Sequence, residues 1–214
     1  FSVFLINALK LSGGLLVLTP LIWAISPGWY HSLTLRAVLL LALTAFSGPV
    51  VAWSSYIKAI KETDVSVAHP VMSSYPIVAI LLDFVFFGVK PTFYPLLGFL
   101  AIIIGIGALT QSSRETRRSL RGLPFAFFTL VVWGINSFIF KIVLFDVPSL
   151  TAAYLRVVFA VPMIWIVVLV LRNPGKELKV QGMRGAYLPL VAGMINDGAA
   201  MFFFFMAIKI GPLY

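Results

Sequence analysis

The sequence predicts an all-α membrane protein: a multi-span helical bundle whose seven transmembrane helices fit a ten-helix, inverted-repeat plan. Three observations predict it. First, 61% of the 214 residues are hydrophobic and only 11% are charged, with a mean hydropathy of +1.04, whereas a soluble domain carries roughly 25% charged residues. Second, seven apolar stretches approach the about 20 residues that a helix needs to cross a hydrocarbon core of roughly 30 Å. Third, the chain repeats itself. Leu9-Lys10 is echoed by Leu155-Arg156, Pro27-Gly28 by Pro174-Gly175, and Ala59-Ile60-Lys61 by Ala207-Ile208-Lys209, at offsets of 146, 147 and 148 residues.

The seven stretches are Phe1–Ile25, Leu35–Ile57, Val65–Gly88, Phe93–Thr110, Leu123–Phe145, Leu150–Leu171 and Tyr187–Ile208. Each is expected to be helical, because lipid offers no partner to an unpaired backbone group. The connections at Ser26-Pro27-Gly28, Lys61–Asp64, Val89-Lys90-Pro91 and Asp146-Val147-Pro148 are short, so chain neighbours run antiparallel. The longer loops, Gln111–Gly122 and Arg172–Gly185, are the basic ones.

The repeat pairs Phe1–Ile25 with Leu150–Leu171, and Leu35–Ile57 with Tyr187–Ile208. Leu123–Phe145 then needs a partner before Phe1, and two spans need partners after Tyr214. The expectation is a chain cut at both ends, from ten spans in two repeats, residues 1–111 and 122–214. Five spans per repeat is an odd number, so the halves insert with opposite topology.

The net charge of +9 would suggest nucleic acid as partner in a soluble protein. Here the basic residues lie mostly in loops, so they are read as orientation signals, and no nucleic-acid partner is expected. Arg36, Lys90, Lys141 and Lys209 fall on one side. Ten others, including Lys58, Lys61, Arg114, Arg121, Arg172 and Arg184, fall on the other, which the positive-inside rule places in the cytoplasm. The chain has no cysteine, and it shows no phosphate-binding loop, metal constellation or nucleophile–base arrangement. No cofactor, metal or enzymatic activity is expected.

Polar groups and helix breaks at membrane depth cost free energy and so mark candidate sites. Pro70 and Pro76 each remove a helical hydrogen bond, and Ser73 and Ser74 can satisfy the freed carbonyls or a substrate. Gly48-Pro49 interrupts Leu35–Ile57, and the repeat offset aligns it with Asn196-Asp197. A lone carboxylate at the bilayer centre costs about 2.5–3.5 kcal/mol, so Asp197 is the candidate proton-coupling residue. The alternative is a structural hydrogen bond. Trp133, Asn136 and Phe140 share a helix face, which makes an amide between aromatics. Lys10 and its repeat partner Arg156 either snorkel, the favoured expectation for Arg156, or face a cavity as candidate anion contacts. The candidate substrate contacts are thus Ser74, Tyr75, Trp133, Asn136 and Asn196. Ala101 and Gly105 form a small-residue face for helix packing, within the bundle or in a homodimer.

The stretch Glu62–Gly88, with His69-Pro70 and Ser73-Ser74-Tyr75-Pro76, resembles the fourth helix of EamA-type transporters of the drug/metabolite transporter superfamily. Leu130–Asn136 with its Trp133-Gly134 pair, followed by Lys141, is similar to the helix that opens a repeat, and Pro148–Arg156 to the start of the next helix. The family carries ten helices in two inverted repeats. Where its members often have Gly-Glu before a basic residue, this chain has Gly88-Val89-Lys90. The resemblance also implies cytoplasmic termini, which places the segment before the first span outside, while the charge bias places it inside. Both orientations stay open.

The resemblance implies a multi-pass secondary transporter in the inner or plasma membrane. It would export or exchange a small organic metabolite, such as an amino acid or drug-like compound, with protons as a candidate coupling ion. The alternatives are a transporter or flippase of phosphorylated or lipid-linked sugar, and a non-transporting membrane scaffold.

Overall fold

The computed structural model describes residues 2–88, 93, 97–98, 100–101, 104–105, 121–171 and 185–210. Every regular element among them is helical. Six helices among the described residues are long and apolar enough to cross a membrane: Val3–Ile25, Leu35–Glu62, Val65–Phe87, Leu123–Leu144, Ser149–Val170 and Gly185–Lys209. They match six of the seven expected stretches to within a few residues. Most of the seventh stretch, Phe93–Thr110, and nearly all of both basic loops lie outside the described residues.

The elements follow the local chemistry. Helix α1 (Val3–Ile25) starts where the Ser2 hydroxyl accepts from the Leu5 N–H, which satisfies one of the four orphan donors of a helix start. A short 3-10 turn, Trp29–Ser32, leads to α2 (Leu35–Ala45), capped by the Thr34 hydroxyl. A π-helical segment, Phe46–Ala52, then joins α2 to α3 (Trp53–Glu62). Asp64 caps α4 (Val65–Ser73) outside the spans. The Ser66 backbone N–H and hydroxyl both donate to it and hold its carboxyl below the usual range. Helix α5 (Pro76–Phe87) has Pro at its first position, where no N–H is needed. It ends at Gly88, whose φ of 68° is the left-handed conformation that favours glycine. Helix α6 (Leu123–Leu144) and helix α7 (Ser149–Leu171) follow. The last span contains a second π-helical segment, Met194–Ala200, and then α8 (Met201–Ile210).

The chain divides into two compact units: Phe1–Val50 with Ile139–Leu213, and Val51–Phe138. In the first, α1 packs along α7, which also carries α2 and α8. Leu18, Ile22, Leu41, Phe140, Val147, Leu155 and Phe205 form one buried cluster, and Leu5, Leu11, Val50, Ile164 and Val168 a second. Phe140 meets Phe205 edge-on at 4.6 Å. In the second unit, Ala59, Ala68, Val71, Met72, Ala126 and Leu130 make the core. The Ser55 hydroxyl donates to the Phe125 carbonyl at 3.1 Å, and the Gly122 N–H to the Thr63 hydroxyl at 2.7 Å.

In the first unit, α1 and the last span touch through glycine. A Cβ on Gly13 would collide with the Leu190 carbonyl, one on Gly14 with Asp197, and one on Gly193 with the Lys10 carbonyl. Lys10, Gly13, Gly14 and Val17 lie at i, i+3, i+4 and i+7, one face of α1. Small residues let the two backbones approach closely, which is how apolar helices gain van der Waals contact when lipid competes equally for their side chains. Gly193→Ala is therefore expected to destabilise the protein by about 1–3 kcal/mol, the usual scale of overpacking. Thermal unfolding in detergent checks this against Gly105→Ala, whose Cβ meets nothing within 4 Å and whose melting temperature should not fall.

Candidate functional site

The two π-helical segments are the first feature of the site. Phe46–Ala52 and Met194–Ala200 each contain seven residues and stand 148 residues apart. Gly48 and Pro49 are the two central residues of the span Leu35–Glu62, and Asp197 is the central residue of Gly185–Lys209. The aligned interruptions that the sequence suggests are thus a matched pair of backbone irregularities. A π turn shifts the helical bonding from i−4 to i−5 and leaves backbone groups without their usual partner. Inside an apolar bundle those groups must be satisfied by side chains.

In the first unit α1 serves both segments. The Asn7 amide donates to the Pro49 carbonyl at 2.5 Å. One turn further, Lys10 Nζ pairs with Asp197 Oδ2 at 2.5 Å. Asn7 is fully buried, Lys10 is 7% exposed and Asp197 4%. Asn196, next to Asp197 in the chain, is exposed. Arg156 of α7 is 7% exposed, so its head group stays inside the unit instead of snorkelling outward. Its guanidinium carbon sits 5.4 Å from the centre of the Phe140 ring. The unit therefore buries two cations and one carboxylate, of which Lys10 and Asp197 form an ion pair.

The other candidates lie in the second unit. Tyr75 separates α4 from α5, and Pro76 is the central residue of Val65–Phe87. The Ser74 hydroxyl donates to the Pro70 carbonyl at 2.9 Å, the role expected of a serine beside a broken helix. Gly134 of α6 presses on this break: a Cβ there would collide with Val78 and the Tyr75 carbonyl. Trp133 stacks with Trp53 at 5.6 Å and with Tyr56 at 5.6 Å, and meets Tyr75 edge-on at 5.9 Å. Asn136 is buried in α6. The Thr129 hydroxyl shares its proton between the Phe125 carbonyl of its own helix at 2.8 Å and the Ala52 carbonyl at 3.2 Å, at the end of the first π segment.

The structure thus gathers Lys10, Gly48, Pro49, Arg156 and Asp197 in the first unit, and Pro70, Ser74, Tyr75, Pro76, Trp133 and Asn136 in the second. Sequence reasoning missed Asn7, Gly13 and Gly14. Asn7 stands three residues before Lys10 in an apolar span, a polar pair on one helix face, and that spacing was the available signal. Trp53 and Tyr56, which complete the aromatic group around Trp133, were also missed, and their i, i+3 spacing was the corresponding signal.

A buried ion pair predicts a particular pattern of stability. Removing one partner strands a charge and costs on the order of 3–5 kcal/mol, while replacing both with apolar side chains of similar volume is close to neutral. Lys10→Met alone and Asp197→Leu alone should each lower the unfolding temperature in detergent strongly. The double variant should recover most of the loss.

The EamA-like transporter family matches residues 1–111 of this chain. No curated protein matches it.

Proposed function

Because the chain belongs to the EamA-like transporter family of the drug/metabolite transporter superfamily, we propose that it is a secondary transporter that carries a small organic metabolite by alternating access, with Asp197 coupling that movement to protons. The reading rests above all on the Lys10–Asp197 pair, buried at the second of two matched helix interruptions.

Residues 1–111 and 122–214 act as the two repeats of a ten-helix plan, and access alternates as they exchange exposure. A carboxylate in the middle of a span must be paired, protonated or hydrated. Ionised, Asp197 holds Lys10; protonated, it loses most of its attraction for the ammonium. One proton thus separates two electrostatic states of the same site. The aromatic group Trp53, Tyr56, Tyr75 and Trp133, with Ser74 and Asn136, supplies rings and hydrogen-bonding groups suited to the organic body of a substrate. The transporter resides in the cell's inner or plasma membrane.

Flux in proteoliposomes tests this. A panel of metabolites is followed under an imposed pH gradient, with the wild type beside Asp197→Asn. The expected result is a pH-driven flux that the variant loses. Intact pH-driven flux in the variant removes Asp197 from coupling and leaves the transporter. Absence of flux for every compound counts against transport and favours a membrane scaffold.

A further inference from the structure

We propose that the buried Arg156, in the same unit as the Lys10–Asp197 pair, forms a binding site for an oxyanion, and that the ligand it fits is the carboxylate of a monoanionic small molecule. As the substrate's anchoring point, this site rests on the transporter reading; as a binding site, it stands on its own geometry.

Arg156 is more than nine-tenths buried. Its Nε and Nη1 atoms have no hydrogen-bond partner among the described residues. A buried guanidinium with open donors is costly, since each unmet charged donor forfeits its hydration without replacement. Asp197 does not resolve this: its Oδ2 faces Lys10, and neither Arg156 Nε nor Nη1 makes a hydrogen bond to it. Phe140 lies 5.4 Å from the guanidinium carbon. A ring can stabilise the cation there, but it accepts no conventional hydrogen bond for Nε or Nη1.

Charge then selects the ligand. Lys10, Arg156 and Asp197 are all buried in this apolar unit, and their charges sum to one net positive. One monoanion neutralises the cluster. A phosphate monoester, which carries about −1.5 to −2 at neutral pH, overshoots it. A guanidinium also matches the planar geometry of a carboxylate better than an ammonium does. Carboxylate and Asp197 would compete for Lys10, which would join anion binding to the state of the ion pair.

Equilibrium binding to purified protein in detergent tests this without requiring flux. Benzoate, lactate and inorganic phosphate are titrated at constant ionic strength against chloride, with thermal unfolding and tryptophan fluorescence as readouts. The carboxylates are expected to raise the unfolding temperature saturably above the chloride control. Arg156→Gln should weaken that binding roughly tenfold or more, the scale of a lost charge-assisted hydrogen bond. Arg156→Lys should bind more weakly than wild type and more tightly than the Gln variant. If Arg156→Gln does not fold, the Lys variant and the wild-type anion series carry the test. Three results overturn the proposal: no carboxylate effect above chloride, unchanged affinity in the Arg156 variants, or tighter binding of phosphate than of carboxylate. Carboxylate binding in a protein that gives no flux would keep the site and sink the transporter reading.

Discussion

Asp197 sits at the centre of the span Gly185–Lys209 with Lys10 against it, and most of the first unit's arrangement follows from that contact. A carboxylate in an apolar helix is tolerable only beside a compensating charge. The compensating charge comes from α1, so α1 must lie close to the last span. Close approach in turn requires the glycines: Gly14 leaves room for Asp197 itself, Gly13 for the Leu190 carbonyl, and Gly193 for the Lys10 carbonyl. The ion pair and the glycine contact are two requirements of one helix crossing, and neither is met without the other.

The same logic governs the backbone. Both helix breaks expose groups that lipid cannot satisfy, and each unit satisfies those it contains. Asn7 takes the Pro49 carbonyl in the first unit, and Thr129 takes the Ala52 carbonyl in the second. Around Pro70 and Pro76 the chain supplies its own repair through Ser74, while Gly134 lets α6 lie directly on the exposed turn. Polar residues that look scattered along the apolar sequence are thus placed against particular backbone irregularities.

What was legible in the sequence follows from which signals are local. Span boundaries depend on apolar length and on cap residues, so the six described spans agree with expectation. The paired interruptions were legible because Gly48-Pro49 and Asn196-Asp197 stand 148 residues apart, the offset of one of the sequence echoes. Their form as π turns was not, since helix type depends on bonding geometry that no residue spells out. Contacts between helices were the least legible. In helices apolar all round, hydrophobic periodicity does not fix rotation about the axis, so nothing showed that Lys10 turns toward Asp197. Arg156 illustrates the same limit. Its depth allowed either an outward or an inward head group, and only its burial and its packing over Phe140 decide for inward.

The two π segments are alike in length and register, yet they are met by different chemistry. The first is held by a neutral amide-to-carbonyl bond from Asn7. Such a bond has no proton to exchange at ordinary pH and no charge for a ligand to balance. The second is held by a carboxylate–ammonium pair, which carries the charges that the proposed proton and anion steps require. Both contacts come from one face of α1, one turn apart. A shift of α1 along its axis large enough to release Lys10 would therefore also strain the Asn7 bond to Pro49. The two π segments are similar weak points in the helices. The residues that answer them give one a neutral anchor and the other a charged pair, so the proposed proton and anion chemistry belongs to the second interruption.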